Sequence, residues 1–339
     1  MNIGFDGNLR FMIFGESHGS AIGVTIEGLP VGFAPDMEAL RTFLSRRSPG
    51  NSPLSSSRKE EDLPEFVSGI FHGRVSGGSV TALIRNTDVR SSDYERIRHT
   101  PRPGHADYTA ELKYRGFQDY RGGGSFSGRM TAPLCIVGGL CLQLLEERGI
   151  TVRSRIAEIG GVSGSMADME QRILEAKAQN DSVGGIIEVC AEGVPGGLGG
   201  PLFEGLEGRI ARAIFAIPAV KGIEFGAGFG SARLTGSANN DPFRMENGQI
   251  VTEDNRSGGI LGGISDGMPI VFRVAVKPTP SIGQTQKTVD IMAKENTDLT
   301  ITGRHDPCIV PRALPCMEAA TAIVLVDALL ERKKEEPWI

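Results

Sequence analysis

The chain has 339 residues, of which 40% are apolar and 23% are charged, so it can build a sizeable core and disorder is excluded as its main state. A net charge of −5 argues against general binding of nucleic acid, because that affinity rests on neutralising phosphates. The five cysteines form no Cys-x-x-Cys pair, which favours free thiols in a reducing compartment over disulfides or a zinc site. No signal-peptide pattern is visible, and the longest apolar run, 134–145, is too short for a bilayer. We expect a soluble cytoplasmic protein that contacts neither nucleic acid nor membrane.

The first half of the chain alternates between strand-like and helix-like segments. Apolar spacing predicts a strand at 22–27, followed by a helix that Pro35-Asp36 opens and Pro49-Gly50 ends. Residues 66–71 and 79–84 are separated by a glycine-containing turn, which predicts a hairpin.

The second half of the chain continues in the same style. Helices are predicted at 130–147, 166–178, 202–217 and 318–330, and strands at 152–159, 185–191 and 270–276. Paired strands and paired helices lack the strict strand-helix rhythm of a doubly wound sheet. No linker and no repeat of 20–50 residues interrupts the chain. These features predict a single α+β domain over residues 1–339.

Residues 86–128 show no convincing period and are rich in Arg, Gly, Asp and Tyr. A long irregular stretch in a compact domain is usually functional or disordered, and the aromatic residues and mixed charges favour an ordered, functional segment. From Arg96 to Arg129 there are seven Lys/Arg against three Asp/Glu. This local excess indicates a small anionic ligand held by arginines, with a solvated basic face as the alternative.

Three of the five histidines lie in turn-rich polar segments: His18, His105 and His305. Loop histidines beside Ser, Asp and Arg are candidates for proton transfer near neutral pH, whereas His72 and His99 have no such context. A Ser-His-Asp triad is disfavoured, because its candidate members Ser17-His18 and His305-Asp306 are adjacent residues, whose side chains point apart. No His-x-x-x-His spacing occurs, so no metal site is expected.

The 46 glycines occur in clusters, which suggests tight turns and backbone brought close to ligands. The clusters at 226–230 and 258–263 do not follow the Gly-x-Gly-x-x-Gly fingerprint of dinucleotide folds, and no P-loop occurs. Phosphate contact by backbone N–H groups stays open.

Nine short segments, in this order, closely resemble the chorismate synthase family over nearly the whole chain. They are Gly15-Glu16-Ser17-His18-Gly19, Arg46-Arg47-Ser48-Pro49-Gly50, Arg102-Pro103-Gly104-His105-Ala106-Asp107, Asp119-Tyr120-Arg121-Gly122-Gly123-Gly124, Asp181-Ser182-Val183-Gly184-Gly185, Ile217-Pro218-Ala219-Val220-Lys221-Gly222, Gly262-Gly263-Ile264-Ser265, Lys277-Pro278-Thr279-Pro280-Ser281-Ile282 and Gly303-Arg304-His305-Asp306-Pro307-Cys308. Each segment is short, but nine of them in the right order make coincidence very improbable.

The resemblance implies a reaction: a 1,4-anti elimination of phosphate from 5-enolpyruvylshikimate 3-phosphate that gives chorismate. The family uses reduced FMN for this step with no net redox change. No flavin reductase domain is visible, so we expect an external flavin reductant, with NADPH only as a source of reducing equivalents. By the same analogy the fold is a helix-sheet-helix sandwich with antiparallel sheets, assembled as a homotetramer.

The resemblance also implies roles for individual residues. His18, His105 and Asp306 match the family's proton-transfer groups, and Arg47 and Arg129 are expected to bind the substrate anions with Ser17 and Ser127 as hydroxyl partners. The expected flavin-binding residues are Ser125, Phe126, Ser127, Pro218, Ala219, Gly262, Lys277, Pro278, Thr279, Pro280, Ser281 and Arg304. Of these, Lys277 and Arg304 are expected to contact the flavin phosphate.

The sequence departs from the family pattern at three places. Ser125 stands where many members have arginine, and Pro53 stands where some members have a second arginine. Pro280 replaces a common serine, which is a smaller change.

Two other interpretations stay open at this stage. One is a flavin enzyme with true redox turnover, such as a reductase that uses NADPH. The other is a non-enzymatic module that binds phosphate or nucleic acid through the Arg/Gly stretch.

Overall fold

The computed structural model of the chain describes residues 4–48, 62–87, 98–301, 303 and 305–335. A first antiparallel sheet, sheet 1, has the spatial order β1-β2-β3-β7-β4. Its strands are β1 (Gly4–Asp6), β2 (Arg10–Gly15), β3 (Ala21–Glu27), β4 (Glu65–Ser68) and β7 (Val80–Arg85). Between β4 and β7 the chain forms a small hairpin of β5 (Ile70–Phe71) and β6 (Arg74–Val75).

A second antiparallel sheet, sheet 2, has the order β11-β16-β10-β8-β9. Its strands are β8 (Thr151–Ile159), β9 (Val162–Ser163), β10 (Gly185–Glu192), β11 (Val220–Phe225) and β16 (Ile270–Val276). Three further hairpins extend from it: β12 (Phe243–Glu246) with β13 (Gln249–Thr252), β14 (Ile260–Leu261) with β15 (Ile264–Ser265), and β17 (Gln286–Asp290) with β18 (Glu295–Leu299).

The described residues also form helices of very different lengths. The α-helices are α1 (Met37–Arg47), α2 (Asp107–Tyr114), α3 (Thr131–Glu146), α4 (Met166–Ala178), α5 (Leu206–Phe215), α6 (Gly236–Asn239) and α7 (Val310–Glu335). Short 3₁₀ turns occur at Arg121–Phe126, Gly128–Met130, Leu202–Glu204 and Gly228–Arg233.

The fold has three layers, in which the central helices lie between sheet 1 and sheet 2. Helix α3 packs on β3 and β7 of sheet 1, α7 packs on β8 and β10 of sheet 2, and the two helices pack against each other. Their buried apolar residues belong to one contiguous core that extends from Leu9 to Ala328. That continuity supports the proposal that the chain is a single domain.

Two helical segments, Gly128–Glu146 and Val310–Lys333, have the length and apolarity of membrane spans. In the fold, 78% and 83% of these windows are buried inside the protein. They are therefore the two central helices of the core.

Local signals explain where the better-predicted helices begin. Asp36 caps α1, because its carboxylate accepts hydrogen bonds from the backbone N–H groups of Glu38 and Ala39 at 2.9 and 3.0 Å. Ser165 caps α4 in the same way through the N–H of Asp168 at 3.1 Å. Both caps satisfy donors that a helix N-terminus leaves unpaired.

The predicted α+β class with antiparallel sheets is confirmed, and the central helices α3 and α7 lie between the two sheets instead of outside a central one. The predicted strands of sheets 1 and 2, the 66–84 hairpin and helices α1, α3 and α4 are confirmed to within a few residues.

Three predictions about helices were wrong. The stretch 86–128 contains helix α2. The helix predicted at 202–217 is a 3₁₀ turn followed by α5, because Gly205 separates them in an extended conformation. The last helix begins at Val310 instead of residue 318. Pro311 lies in its first turn, where a missing N–H costs nothing, and the helix continues through Pro315.

The contact between α3 and α7 is unusually close at Gly138. A Cβ atom on Gly138 would lie 2.1 Å from the Cβ and 2.3 Å from the Cα of Ala319. Because the second atom belongs to backbone, a side chain at 138 must push the helices apart.

We predict that Gly138→Ala destabilises the protein by about 1–3 kcal/mol through overpacking. Gly208→Ala is the matched control, since Gly208 is an exposed helical glycine with nothing within 4 Å of its added Cβ. That change should stabilise the helix by up to about 1 kcal/mol, because alanine has the higher helix propensity. Urea unfolding measures both, and equal effects at the two positions would contradict the close helix contact.

Candidate active site

A cavity of about 580 Å³ opens between the irregular stretch after α2, the α5–β11 connection and the start of α7. This volume is in the range of small-molecule sites. Its wall includes predicted site residues from every part of the chain: Arg47, His105, Ser125, Phe126, Ser127, Arg129, Pro218, Ala219, Lys277, Thr279, Pro280, Ser281 and Asp306. Tertiary folding therefore brings most of the predicted site to one place.

Two buried arginines of the cavity wall, Arg47 and Arg129, share one carboxylate. Asp62 accepts a hydrogen bond from Arg47 Nε at 2.9 Å, and its other oxygen accepts from Arg129 Nη1. Ser48 Oγ donates to the same carboxylate at 2.9 Å. Burial opposes ionisation of Asp62, but the nearby charges of Arg47 and Arg129 outweigh it and lower the pKa of Asp62. Asp62 thus fixes both guanidinium groups at the cavity edge.

Arg129 is also tied to the turn that carries Ser17 and His18. Its Nε donates to Asn86 Oδ1 at 3.1 Å, and Asn86 Nδ2 donates to the carbonyl oxygens of Glu16 and Gly19. The Ser17 N–H donates to the Gly124 carbonyl at 3.3 Å.

Ser17 and His18 themselves lie behind Gly122, outside the cavity wall. A Cβ on Gly122 would lie 2.3 Å from His18 Cδ2 and 3.0 Å from Ser17 Oγ. Gly122 has φ +59° and borders the cavity. Glycine is required here by both the left-handed backbone and the contact with His18.

His105 approaches the next glycine of the same run. A Cβ on Gly123 would lie 3.0 Å from His105 Cε1 and 3.1 Å from its Nε2. Consecutive Cα atoms are about 3.8 Å apart. His18 and His105 therefore stand against neighbouring residues of one glycine run.

Hydrogen bonding selects the tautomer of His105. Its Nδ1 lies 2.6 Å from Asp107 Oδ1 and 3.1 Å from Arg102 Nη2. A carboxylate only accepts and a guanidinium only donates, so the shorter contact places the proton on Nδ1. Arg102 Nη2 donates to the same Asp107 oxygen at 2.8 Å. Burial opposes ionisation of Asp107, but hydrogen bonds from Arg102 and His105 hold the pKa of Asp107 well below its usual range. The lone pair of neutral His105 is then on Nε2.

Asp306 enters the site from the loop before α7. Its Oδ2 accepts from Arg312 Nη1 at 2.6 Å, and its backbone carbonyl accepts from Thr279 Oγ1 at 2.8 Å. Arg312 Nε donates to the Arg47 carbonyl at 2.9 Å. One network of hydrogen bonds therefore links Asp306 to the arginine pair around Asp62.

Lys277 and Lys221 add further positive charge to the cavity wall. Lys277 Nζ donates to the Gly104 carbonyl, and the Lys277 N–H donates to the Ala219 carbonyl at 2.9 Å. Partial burial and the neighbouring Lys221 lower the pKa of Lys277. An anion between the two lysines would offset the repulsion between their positive charges.

The charge balance of the cavity is opposite to that of the whole chain. Its wall carries six cations from the described residues: Arg47, Arg102, Arg129, Lys221, Lys277 and Arg312. Three carboxylates contact them, namely Asp62, Asp107 and Asp306. The excess of three positive charges favours a strongly anionic ligand.

Some predicted residues lie elsewhere. Pro278 is behind the wall against Gly184, and Gly262 forms the β14–β15 turn next to the 199–205 loop. Arg304 and Pro53 lie outside the described residues.

Sequence reasoning did not assign roles to several residues that organise the site. Arg102 and Asp107 were visible inside the Arg102–Asp107 motif, and the spacing of Asp107 two residues after His105 was a usable signal. Asp62, Asn86 and Arg312 gave no such signal, because their partners are distant in the chain.

The comparisons with known proteins agree with this geometry. The family model described as chorismate synthase matches residues 9–330. A chorismate synthase of Thermococcus kodakarensis is 49% identical over 350 residues, which cover 98% of both chains. The chain belongs to the chorismate synthase family. The family member of Korarchaeum cryptofilum is 44% identical, with 96% of this chain and 97% of the relative covered.

The family is also represented among solved structures. A crystal structure of chorismate synthase matches this chain with a TM-score of 0.74 and 31% sequence identity. The match covers 96% of this chain and 92% of that one. The sandwich described above is therefore the chorismate synthase fold.

We predict that Asp62→Asn destabilises the protein by about 3–5 kcal/mol at pH 7, because two buried arginines lose their shared countercharge. Since the folded-state pKa of Asp62 is lowered, the contribution of its ionised carboxylate is complete above the ordinary aspartate pKa of about 4 and is lost as the pH falls through the lowered value. The destabilisation should therefore shrink in acid.

Unfolding of both proteins at a series of pH values measures this effect. Glu65→Gln, which removes an exposed ion pair with Arg85, is the control and should change stability by less than about 1 kcal/mol. A loss for Asp62→Asn that is independent of pH would contradict the ion-pair assignment.

We predict that Asp107→Asn moves the His105 proton from Nδ1 to Nε2. Arg102 demands an acceptor, so the oxygen of the introduced amide turns to Arg102 and its NH₂ group faces His105 Nδ1. Imidazole ¹⁵N chemical shifts report the tautomer, and chorismate formation should fall by about a hundredfold or more. Asp298→Asn, which breaks an exposed pair with Lys287, should change neither. An unchanged His105 tautomer would rule out this role for Asp107.

Proposed function

We propose that the protein catalyses the 1,4-anti elimination of phosphate from 5-enolpyruvylshikimate 3-phosphate, giving chorismate, with reduced FMN bound in the cavity and no net redox change. The observation that carries the proposal is the excess of positive charge in one cavity beside two histidines on neighbouring glycines. Membership of the chorismate synthase family supports it.

The residues of the cavity fit FMN. The Gly122–Gly123 run leaves no room for side chains beside the histidines, so bare backbone at Gly122 borders the cavity in which a ring system would lie. Phe126, Ile217, Pro218 and Ala219 line this wall and offer apolar contact. A volume of about 580 Å³ accepts a ligand of this size.

The proposed FMN-binding residues are those that line the cavity: Ser125, Phe126, Ser127, Pro218, Ala219, Lys277, Thr279, Pro280 and Ser281. Lys277, with its lowered pKa, and Arg304 are proposed for the flavin phosphate. Pro278 supports the loop between Lys277 and Thr279. The proposed role of Gly262 in binding FMN rests on the family resemblance alone. Reduced FMN supplies the electron density that makes departure of phosphate feasible.

Arg47 and Arg129 are proposed to bind the anionic groups of the substrate. The family substrate carries one phosphate and two carboxylates, and planar guanidinium groups bind such oxygens in pairs. Asp62 holds the two arginines in fixed positions before the substrate arrives, so less ordering is required on binding. Ser17 and Ser127 are proposed as hydroxyl partners.

Proton transfer is assigned to three groups. His18 is proposed to protonate the departing phosphate from behind Gly122. His105 is held by Asp107 at Nδ1 and presents Nε2 at Gly123. It is proposed to help set the protonation state of the reduced flavin. Asp306, positioned by Arg312, is proposed as the carboxylate that would take a proton from the flavin.

The proposal extends to the context of the enzyme. We place it in the cytoplasm as a homotetramer that depends on an external flavin reductant, with NADPH only as a source of reducing equivalents. A role as a nucleic-acid module is not favoured, because Arg102 and Arg129 of the Arg/Gly stretch line a cavity with four other cations and the chain has a net charge of −5.

The test is an anaerobic assay of the purified protein with dithionite-reduced FMN and 5-enolpyruvylshikimate 3-phosphate. Chorismate and phosphate should appear in equal amounts, only with reduced FMN and without net flavin oxidation. His105→Ala should lower kcat by about a hundredfold or more. His72→Asn, at an exposed turn with positive φ that asparagine tolerates, should leave it unchanged.

Two outcomes would overturn the proposal. Folded protein that binds FMN but forms neither product has a different activity. Consumption of NADPH in proportion to product, with no added flavin reductant, identifies a redox enzyme instead.

A further inference from the structure

Two cysteines meet at the contact between the central helices. Cys135 near the start of α3 and Cys316 in α7 are 181 positions apart in sequence, and their sulfur atoms are 3.8 Å apart. Both side chains are buried, and Cys316 also lines the active-site cavity. One residue of the pair, Cys316, therefore lines the cavity, and the other, Cys135, is not among its lining residues.

We propose that Cys135 and Cys316 form a peroxide-reactive dithiol, in which Cys316 is the attacking thiolate and Cys135 the resolving thiol that closes a disulfide between α3 and α7. This is a modification site separate from the elimination chemistry, and it does not rest on the proposed function.

The surroundings of Cys316 favour its thiolate. The Cys135 S–H donates to the Cys316 sulfur. This hydrogen bond outweighs burial and, together with the nearby positive charges of Arg47 and Arg312, lowers the pKa of Cys316 to about 7. The same hydrogen bond and burial raise the pKa of Cys135. The thiolate is the nucleophilic form of cysteine, so the two sulfurs have unequal roles.

The helix geometry permits closure of the bond. A disulfide needs an S–S distance of about 2.05 Å and a short Cβ–Cβ separation. One helical turn further on, the same two helices approach until a Cβ on Gly138 would lie 2.1 Å from that of Ala319. Cys135 and Cys316 therefore lie on helices in close contact, and closure of the bond requires their sulfur atoms, 3.8 Å apart, to approach by about 1.8 Å.

The chemistry balances with one molecule of hydrogen peroxide. The Cys316 thiolate attacks one peroxide oxygen, the O–O bond breaks, and the leaving hydroxide takes a proton to become water. The Cys135 sulfur then attacks the sulfenic acid at Cys316 sulfur, the S–O bond breaks, and hydroxide leaves with the Cys135 proton as a second water. Two thiols are oxidised by two electrons, and one peroxide is reduced to two waters.

The remaining cysteines provide internal controls. Cys141 and Cys308 are buried, with burial raising the pKa of Cys141 well above its usual range and that of Cys308 to about 11. Cys190 on β10 is half-buried, and burial raises its pKa as well. None of the three has a described thiol hydrogen bond to another cysteine.

The test treats reduced holoprotein with stoichiometric hydrogen peroxide and maps each thiol by differential alkylation and non-reducing peptide mass spectrometry. We expect a Cys135–Cys316 cross-linked peptide that forms about tenfold or more faster than Cys141 or Cys308 oxidises. The rate should rise from pH 6 to pH 8, and dithiothreitol should restore both thiols.

Variants separate the two roles. Cys135→Ser should accumulate sulfenic acid at Cys316, which dimedone traps, whereas Cys316→Ser should leave Cys135 reduced. Cys190→Ser is the matched control and should leave the cross-link unchanged. Because the parent protein carries its own control thiols, the test does not depend on the variants folding.

Two results would overturn the proposal. One is oxidation of Cys135 and Cys316 no faster than that of Cys141 and Cys308. The other is over-oxidation of Cys316 to sulfinic acid while Cys135 stays reduced.

Discussion

The close packing of α3 against α7 is the constraint on which the rest of the structure depends. Each helix covers one sheet, and Gly138 lets the two backbones approach without an intervening side chain. This contact also aligns the beginnings of both helices at the cavity, where Thr131 starts α3 and Arg312 lies in the first turn of α7. Helix N-termini carry partial positive charge, so the core packing itself contributes to an anion site.

Pairing of charges explains how an acidic protein concentrates arginines in one place. Each carboxylate near the cavity holds a guanidinium: Asp62 holds Arg47 and Arg129, Asp107 holds Arg102, and Asp306 holds Arg312. Buried charges are costly unless they are paired and hydrogen-bonded. The carboxylates reduce the repulsion among the cations and fix their directions, while an excess of positive charge remains for an anionic ligand.

Glycine has an equally specific role at the histidines. Positive φ angles at Gly122 and Gly123 bend the backbone. Because neither residue has a side chain, His18 packs against Gly122 and His105 packs against Gly123. Two imidazole rings from different loops thus lie against adjacent residues of one glycine run. The dithiol of Cys135 and Cys316 arises from the same helix contact that shapes the other wall of this cavity.

The sequence by itself determined the α+β class, most strands, helices α1, α3 and α4, and the family to which the chain belongs. These follow from local periodicity, from caps such as Asp36 and Ser165, and from motifs whose residues are adjacent in the chain. The histidine motifs and the arginine-rich stretch also predicted part of the cavity wall, including His105, Arg129 and Asp306.

Only the tertiary structure decided the layer order, the start of α7 at Val310 and the partners of the site residues. Asn86 meets Arg129 across 43 positions and Cys135 meets Cys316 across 181, and no local pattern encodes such contacts. Asp62 looks like any loop aspartate until folding surrounds it with two arginines. The sequence specifies the type of each residue, but the charges and hydrogen-bond partners that surround it depend on which distant residues the fold packs against it.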